Sequence, residues 1–496
     1  MLVLALLLLA PLLGQNLKDF EKKVTEFGLA NGLHFIVIER HEAPVISFNT
    51  HVKVGSLFDP GGQTGLAHMF EHMAFKGTAT IGSKNWTEEK KALDAVEAVF
   101  QRLEAERRKG LRADSKEIEK LQGLLKAAIE KAELYVDTNA YPRIIESNGG
   151  VGMNAGTGLE ATNYYYNFPS NRLELWFLLE SERFLHPVFR EFYKERDVVR
   201  EERRMRVESN PQGKLGEAIL TTAFMAHPYR QVPIGWASDI ENLRLSEAER
   251  FYKTYYVPGN IVIGIAGDVD PAEAKRLAEK YFSRLPGAPL PPGITTIEPK
   301  QEGPRRAEIE SPAQPMMFIG YKRPDHHHAD DPVFDVITTV LASGRTGVLY
   351  KELVRDRKLA LAAISGPNFP GSQYPNLFIF LLVPNAGKTM EENEKAFQEV
   401  LEKFKNTKID PVTLARVKTK ARAGLIRRLD SNAGLATLLP LYHVAYGEWK
   451  KMFTALDDLD KVTADDVQRV AKEYFIDNGK TVAVTFQPKK ASGGAK

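Results

Sequence analysis

Apolar positions recur at helical spacing in some stretches of the chain and in short continuous runs in others, a mixture that predicts an α+β protein. Leu66, Met69, Phe70 and Met73 mark one face of a short helix. Leu93, Val96, Phe100 and Leu103, then Ile118, Leu121, Leu125 and Ile129, repeat at the same spacing on either side of Lys109-Gly110-Leu111-Arg112-Ala113-Asp114. That pattern predicts a helical hairpin within residues 86–137. Val198 and Val199 form the apolar stripe of a further, highly charged helix. Residues 261–265 and 481–486 are rich in β-formers and predict strands.

Those two strands close a longer repeat. Residues 244–262 read R-L-S-E-A-E-R-F-Y-K-T-Y-Y-V-P-G-N-I-V, and residues 463–481 read T-A-D-D-V-Q-R-V-A-K-E-Y-F-I-D-N-G-K-T, at a constant offset of 219. Each predicts a helix ending in paired aromatics, a turn and a strand. Two homologous halves follow, over 25–284 and 308–490, joined by a Pro- and Gly-rich linker at 285–307 and followed by a tail at 491–496.

With 43% hydrophobic residues among 496, the chain has material for at least two cores. The net charge is +3 with both signs interspersed, and neither a basic stripe nor an aromatic RNA-binding motif is present, so a nucleic-acid partner is excluded. The absence of cysteine excludes disulfides, thiolate ligands and lipoprotein attachment. Leu2–Leu13 is an almost unbroken apolar run, too short to span a bilayer and placed where a signal segment belongs. Residues 1–24 are therefore expected to be a signal peptide or apolar leader, with Gly14 the best last residue removed, although no Lys or Arg precedes the run. The product is expected in the periplasm or outside the cell, with no stable membrane span after processing.

The chemistry concentrates in His68-Met69-Phe70-Glu71-His72. Two imidazoles four residues apart project from one face of a helix and suit Zn²⁺, while a neighbouring carboxylate can take a proton from metal-bound water. The third ligand is sought in Glu195-Arg196-Asp197-Val198-Val199-Arg200-Glu201-Glu202. Glu195 and Glu202 lie two turns apart on one face, and Glu201 sits about 100° round from Glu202. Either of the last two could complete the set.

At this point the chain resembles the pitrilysin/insulinase family of metallopeptidases, the H-x-x-E-H or inverzincin type, in its bacterial branch similar to mitochondrial processing peptidase subunits. The resemblance implies His68, His72 and Glu202 as ligands of one Zn²⁺, Glu71 as general base and Glu195 behind the metal. Gly149-Gly150-Val151-Gly152-Met153-Asn154-Ala155 looks like the family's substrate-aligning strand, which makes Asn154 and Ala155 substrate-binding by β-augmentation. The family's two halves face each other like a clamshell around a chamber. The expected activity is zinc-dependent endopeptidase action on peptides or unfolded segments; the alternative is a non-catalytic or partner-dependent subunit of a two-chain peptidase. A zinc esterase is disfavoured by the peptide-aligning strand.

Two departures from the family pattern stand out. Arg355 matches an arginine that closes the family site, but position 362, where a tyrosine is expected, is alanine. A partner subunit, in a homo- or heterodimer, would then supply the missing hydroxyl. The interval from His72 to Glu202 is also long, and the surplus coincides with the hairpin, which reads as an extra packed layer or subunit contact in preference to a lid over the site. His326-His327-His328 is expected to be a surface loop without a metal, since consecutive side chains diverge.

Overall fold

Two mixed sheets carry the fold, and they share one plan. The computed structural model describes residues 20–488; the run Leu2–Leu13, the processing point at Gly14 and the tail 491–496 lie outside the described residues. The first sheet contains β1 (Val24–Gly28), β2 (His34–Glu39), β3 (Val45–Val52), β4 (Val151–Thr157), β5 (Thr162–Pro169) and β6 (Ile261–Gly267), in the order β1-β2-β6-β3-β5-β4. The second contains β7 (Arg305–Glu310), β8 (Met317–Arg323), β9 (Ala360–Phe369), β10 (Asn376–Pro384) and β11 (Lys480–Phe486), in the order β7-β11-β8-β10-β9. With β1 set aside the two orders coincide strand for strand, and among the described residues the only parallel pair of each sheet joins its first and last strands, β2 with β6 and β7 with β11. The duplicated α+β architecture is therefore present.

Both faces of β2 are buried, which explains its continuous apolar run. Phe35 and Val37 enter one core with Trp176, Phe177 and Phe282, whereas Ile36 and Ile38 enter another built with Leu435, Ala436 and Leu439. The latter three belong to a helix of the other half, Asn432–Tyr446. The first half returns the arrangement: its helix Pro211–Ala223 lays Leu215, Ile219 and Ala223 on Leu377, Ile379 and Ala483 of the second sheet. The two halves thus exchange a helix. Small residues permit the crossings. A Cβ at Gly264 of β6 would lie 2.1 Å from the Ala436 carbonyl oxygen, and the matching position of β11, at the repeat offset, is the fully buried Ala483.

Residues 286–304 form neither helix nor strand, and β7 begins at Arg305. The connection is tied down: Glu298 accepts hydrogen bonds from the amides of Met225, Ala226 and His227 at 2.8, 2.9 and 3.0 Å. The hairpin consists of helices Trp86–Arg107 and Ser115–Glu133, capped by Asn85 and Asp114. Phe100 of its first helix stacks on Tyr193 at 4.1 Å, which seats the hairpin against the helix Phe192–Arg203. The three histidines at 326–328 are not uniformly exposed. His326 is buried, with Nδ1 2.7 Å from the Ser372 carbonyl and Nε2 3.1 Å from that of Ala445, so both nitrogens are already engaged.

Candidate metal centre

The helix Leu66–Met73 holds its position through both its start and its buried face. Gly65 precedes it with φ of +96°, a left-handed conformation that suits glycine, and a Cβ there would approach the Ile234 carbonyl to 2.9 Å. Asp59 accepts hydrogen bonds from the amides of Gly65 and Ala67 at 2.7 and 2.9 Å, satisfying donors that the first turn leaves free. Burial pushes the Asp59 carboxyl up to about 8, against the pull of those two amides. On the inner face Met69, Phe70 and Met73 are buried, and Phe70 stacks on Phe251 of the repeated helix at 5.6 Å. His68 and His72 project from the remaining face.

The helix Phe192–Arg203 brings the carboxylates. Glu202 Oε2 lies 3.3 Å from His72 Nε2 and 3.6 Å from His68 Nε2. A tetrahedral Zn²⁺ with ligands at about 2.0–2.1 Å separates neighbouring ligand atoms by about 3.4 Å, so Glu202 already stands at ligand spacing from both imidazoles, and the three ligand atoms lie within 4.8 Å of one another. Glu202 Oε1 is 2.8 Å from Arg206 Nη2, leaving a single oxygen toward the histidines. Glu195 Oε2 is 3.3 Å from His72 Nδ1, the outer carboxylate that orients a ligating imidazole. Glu195 Oε1 in turn accepts a hydrogen bond from Lys76 at 2.5 Å, and Lys76 also reaches Glu191 at 2.8 Å. Between the two sequence alternatives the geometry is one-sided: Glu201 is 60% exposed and accepts a hydrogen bond from Arg204 at 2.9 Å, away from both histidines. Val199 is buried, but its neighbour Val198 is 45% exposed, so the apolar stripe is narrower than the sequence pattern implied.

Electrostatics follow the same layout. Burial depresses the basicity of His68, helped by His72 and opposed by Glu202 and Glu71. For His72 burial also pulls down, but Glu195 and Glu202 outweigh it and lift the imidazole to about 9. The bond from His72 holds Glu202 below the usual carboxylate range, against its burial.

Glu71 is half-buried and lines a cavity of about 360 Å³ together with His72, Phe75, Lys76, Asn139 and Glu191. Its carboxylate takes part in no hydrogen bond or ion pair with a described side chain. Asn154 and Ala155 lie on β4, the edge of the first sheet, opposite Tyr165 and Tyr164 of β5. Asn154 is exposed, Ala155 is buried, and the histidine helix packs against this strand. No hydrogen bond or ion pair among the described residues joins Arg355 to the centre. Arg355 sits in the segment Tyr350–Asp356 of the second half, 57% exposed and paired in bidentate fashion with Asp356 at 2.6 and 2.9 Å. Ala362 lies on β9, the edge strand of the second sheet. Within one chain, the centre is built by the first half.

Several supporting residues escaped the sequence reading. Lys76 and Arg206 stand four residues after His72 and Glu202, a spacing that puts each over its ligand and could have been read. Asp59 and Arg190 reach the site from loops and left no such signal.

Two family models match in succession, the first, "Insulinase (Peptidase family M16)", over residues 35–105 and 109–233, and the second, "Peptidase M16 inactive domain", over 242–421. The chain belongs to peptidase family M16. Among M16 relatives, the zinc protease PqqE of Helicobacter pylori is 29% identical over 465 residues, covering 91% of this chain and 90% of its own. A crystal structure of a protease from Helicobacter pylori superposes with a TM-score of 0.78 at 27% identity, covering 94% of this chain and 99% of that one. An M16 inactive domain from Pseudomonas fluorescens, at 17% identity, shares the fold with a TM-score of 0.73 over 95% of this chain and 100% of its own. The match of the second half to the inactive-domain model agrees with its lack of an H-x-x-E-H motif.

Proposed function

We propose that this M16 protein is a zinc-dependent endopeptidase for peptides or unfolded segments. The observation that carries the reading is the convergence of His68, His72 and Glu202 at ligand spacing beside an unpaired Glu71. Zn²⁺, when bound, supplies a Lewis acid and lowers the pKa of a water to about 7. Glu71 takes the proton from the attacking water and later delivers it to the leaving amine. Glu195 holds His72 in the tautomer whose Nε2 faces the centre. The open edge of β4 binds the peptide main chain, with Asn154 and Ala155 alongside, so selectivity rests little on side chains. The apolar run Leu2–Leu13 supports a site of action in the periplasm or outside the cell.

The exposed Arg355 and the alanine at 362 favour one elaboration, in which a second, related chain completes the site as a homo- or heterodimer. Loss of one donor to a developing oxyanion costs on the order of 10²-fold in rate or more, so an isolated chain would be slow. The test is cleavage of an unstructured peptide library by the full chain with zinc, beside Glu71→Gln. Cleavage by the wild type alone supports the self-sufficient enzyme. Equal activity in Glu71→Gln would remove the proposed base. Zinc bound without turnover would favour the partner-dependent form.

A further inference from the structure

A second cluster of metal-binding groups lies away from the M16 centre, at the junction of the two halves. Glu26 of β1 and His34 of β2 share one face of the first sheet, because Gly28 pairs with His34 and Glu26 sits two residues along from it. The helix Asn432–Tyr446, which the second half lays on that sheet, brings His443 to the same point. His34 Nε2 is 2.7 Å from Glu26 Oε1, and His443 Nδ1 is 3.2 Å from the same oxygen. The other oxygen, Oε2, accepts a hydrogen bond from the indole of Trp449 at 3.1 Å, an outer contact that fixes the carboxylate. One atom of each residue falls within 4.8 Å of the other two.

Two further observations point to a ligand. His443 Nδ1 is shielded from solvent and makes no well-formed hydrogen bond, so a buried polar atom is left without an adequate partner. The two imidazoles stack 4.2 Å apart and 19° from parallel, which holds both rings together beside the one Glu26 oxygen. The group remains reachable, with side-chain exposures of 36% for Glu26, 24% for His34 and 18% for His443.

We infer that Glu26, His34 and His443 form a second metal site, which takes a borderline divalent transition ion such as Zn²⁺ and ties the two halves together. Two nitrogens and one oxygen suit this class, and the lack of sulfur disfavours softer ions. Binding draws both nitrogens to a common centre, so one ring turns out of the stack. The site binds across the junction, because two ligands come from the first half and one from the second.

The experiment uses the full chain, stripped of metal and then dialysed against a slight excess of zinc, with bound metal counted by atomic emission. His68→Ala/His72→Ala, which disables the M16 centre, is expected to retain one zinc per chain. Adding His443→Ala, or Glu26→Gln, which preserves an acceptor for the Trp449 indole, is expected to reduce it to none. The melting temperature of the two-histidine variant should rise with zinc and cease to rise once either third substitution is added. The apo melting temperature of each variant checks that it folds. No bound zinc in His68→Ala/His72→Ala overturns the inference, and so does a zinc that survives both Glu26→Gln and His443→Ala.

Discussion

Arg190 is the residue through which the inserted hairpin supports the metal centre. It is 1% exposed, and its Nε donates at 2.7 Å to Glu89 of the first hairpin helix, itself fully buried. Its Nη1 donates to the carbonyls of Lys76 and Ile81 and its Nη2 to that of Thr78, so one guanidinium holds the loop that follows His72. Arg190→Met keeps the aliphatic stem but strands the Glu89 carboxylate and the carbonyls of Lys76 and Thr78, while the Ile81 carbonyl keeps the Thr78 amide at 2.8 Å. Breaking a buried pair by removing one partner costs about 3–5 kcal/mol. Arg190→Met/Glu89→Leu removes both charges, so most of that penalty returns, and the unpaired carbonyls leave a cost of about 1–2 kcal/mol. The double-mutant cycle should therefore show a coupling of at least about 2 kcal/mol. Urea unfolding of all four proteins measures it, and zinc affinity measured in parallel should fall with Arg190→Met, because Lys76 and the start of the Glu195 helix lose their brace. A single-mutant cost below about 1 kcal/mol, or additive effects of the two substitutions, would show that the hairpin is a passive layer.

Glu202→Gln should weaken zinc binding at the M16 centre by at least about 100-fold, since a neutral amide replaces the only carboxylate ligand, while Glu201→Gln should leave it unchanged; competition against a chromophoric chelator distinguishes them. Gly264→Val should destabilise the chain by about 3 kcal/mol or more, because its Cβ falls 2.1 Å from the Ala436 carbonyl oxygen and the crossing helix must lift; thermal unfolding reads this directly. His51, fully buried on β3, has its pKa lowered to about 4 by burial, with Asn163 opposing and Lys53 assisting. The unfolded chain takes up that proton near pH 6.5 and the folded chain does not, so stability is greatest above 6.5 and falls toward pH 4 by up to about 3 kcal/mol from this group. His51→Gln should flatten that slope in urea midpoints taken at several pH values.

What the sequence revealed was local or repeated. The hairpin was legible because its apolar residues hold one period on both sides of a glycine break, and the duplication because helix, turn and strand recur at one offset. The pairing of His68 with His72, and of Glu195 with Glu202, followed from helical geometry alone. Choices between adjacent residues were not legible. Glu201 and Glu202 differ by about 100° of rotation, and only the packing of Val199 into the core determines which one faces the histidines. The crossing of the helices 211–223 and 432–446 was equally hidden, because an apolar stripe does not state which sheet it will cover. His326 shows the same limit, since the carbonyls that engage it come from residues 372 and 445.

The exchanged helices give the linker a thermodynamic role. Each sheet is finished by a helix that the other half donates, which is the topology of a domain-swapped dimer made from one repeating unit. As separate chains, such units would be complete only above some threshold concentration, and each alone would present an uncovered apolar sheet face to water. The segment 285–304 turns that association into an intramolecular event, at an effective concentration set by its own length and independent of protein dilution. The partnership between a half with the metal motif and a half without it is thereby fixed at one to one.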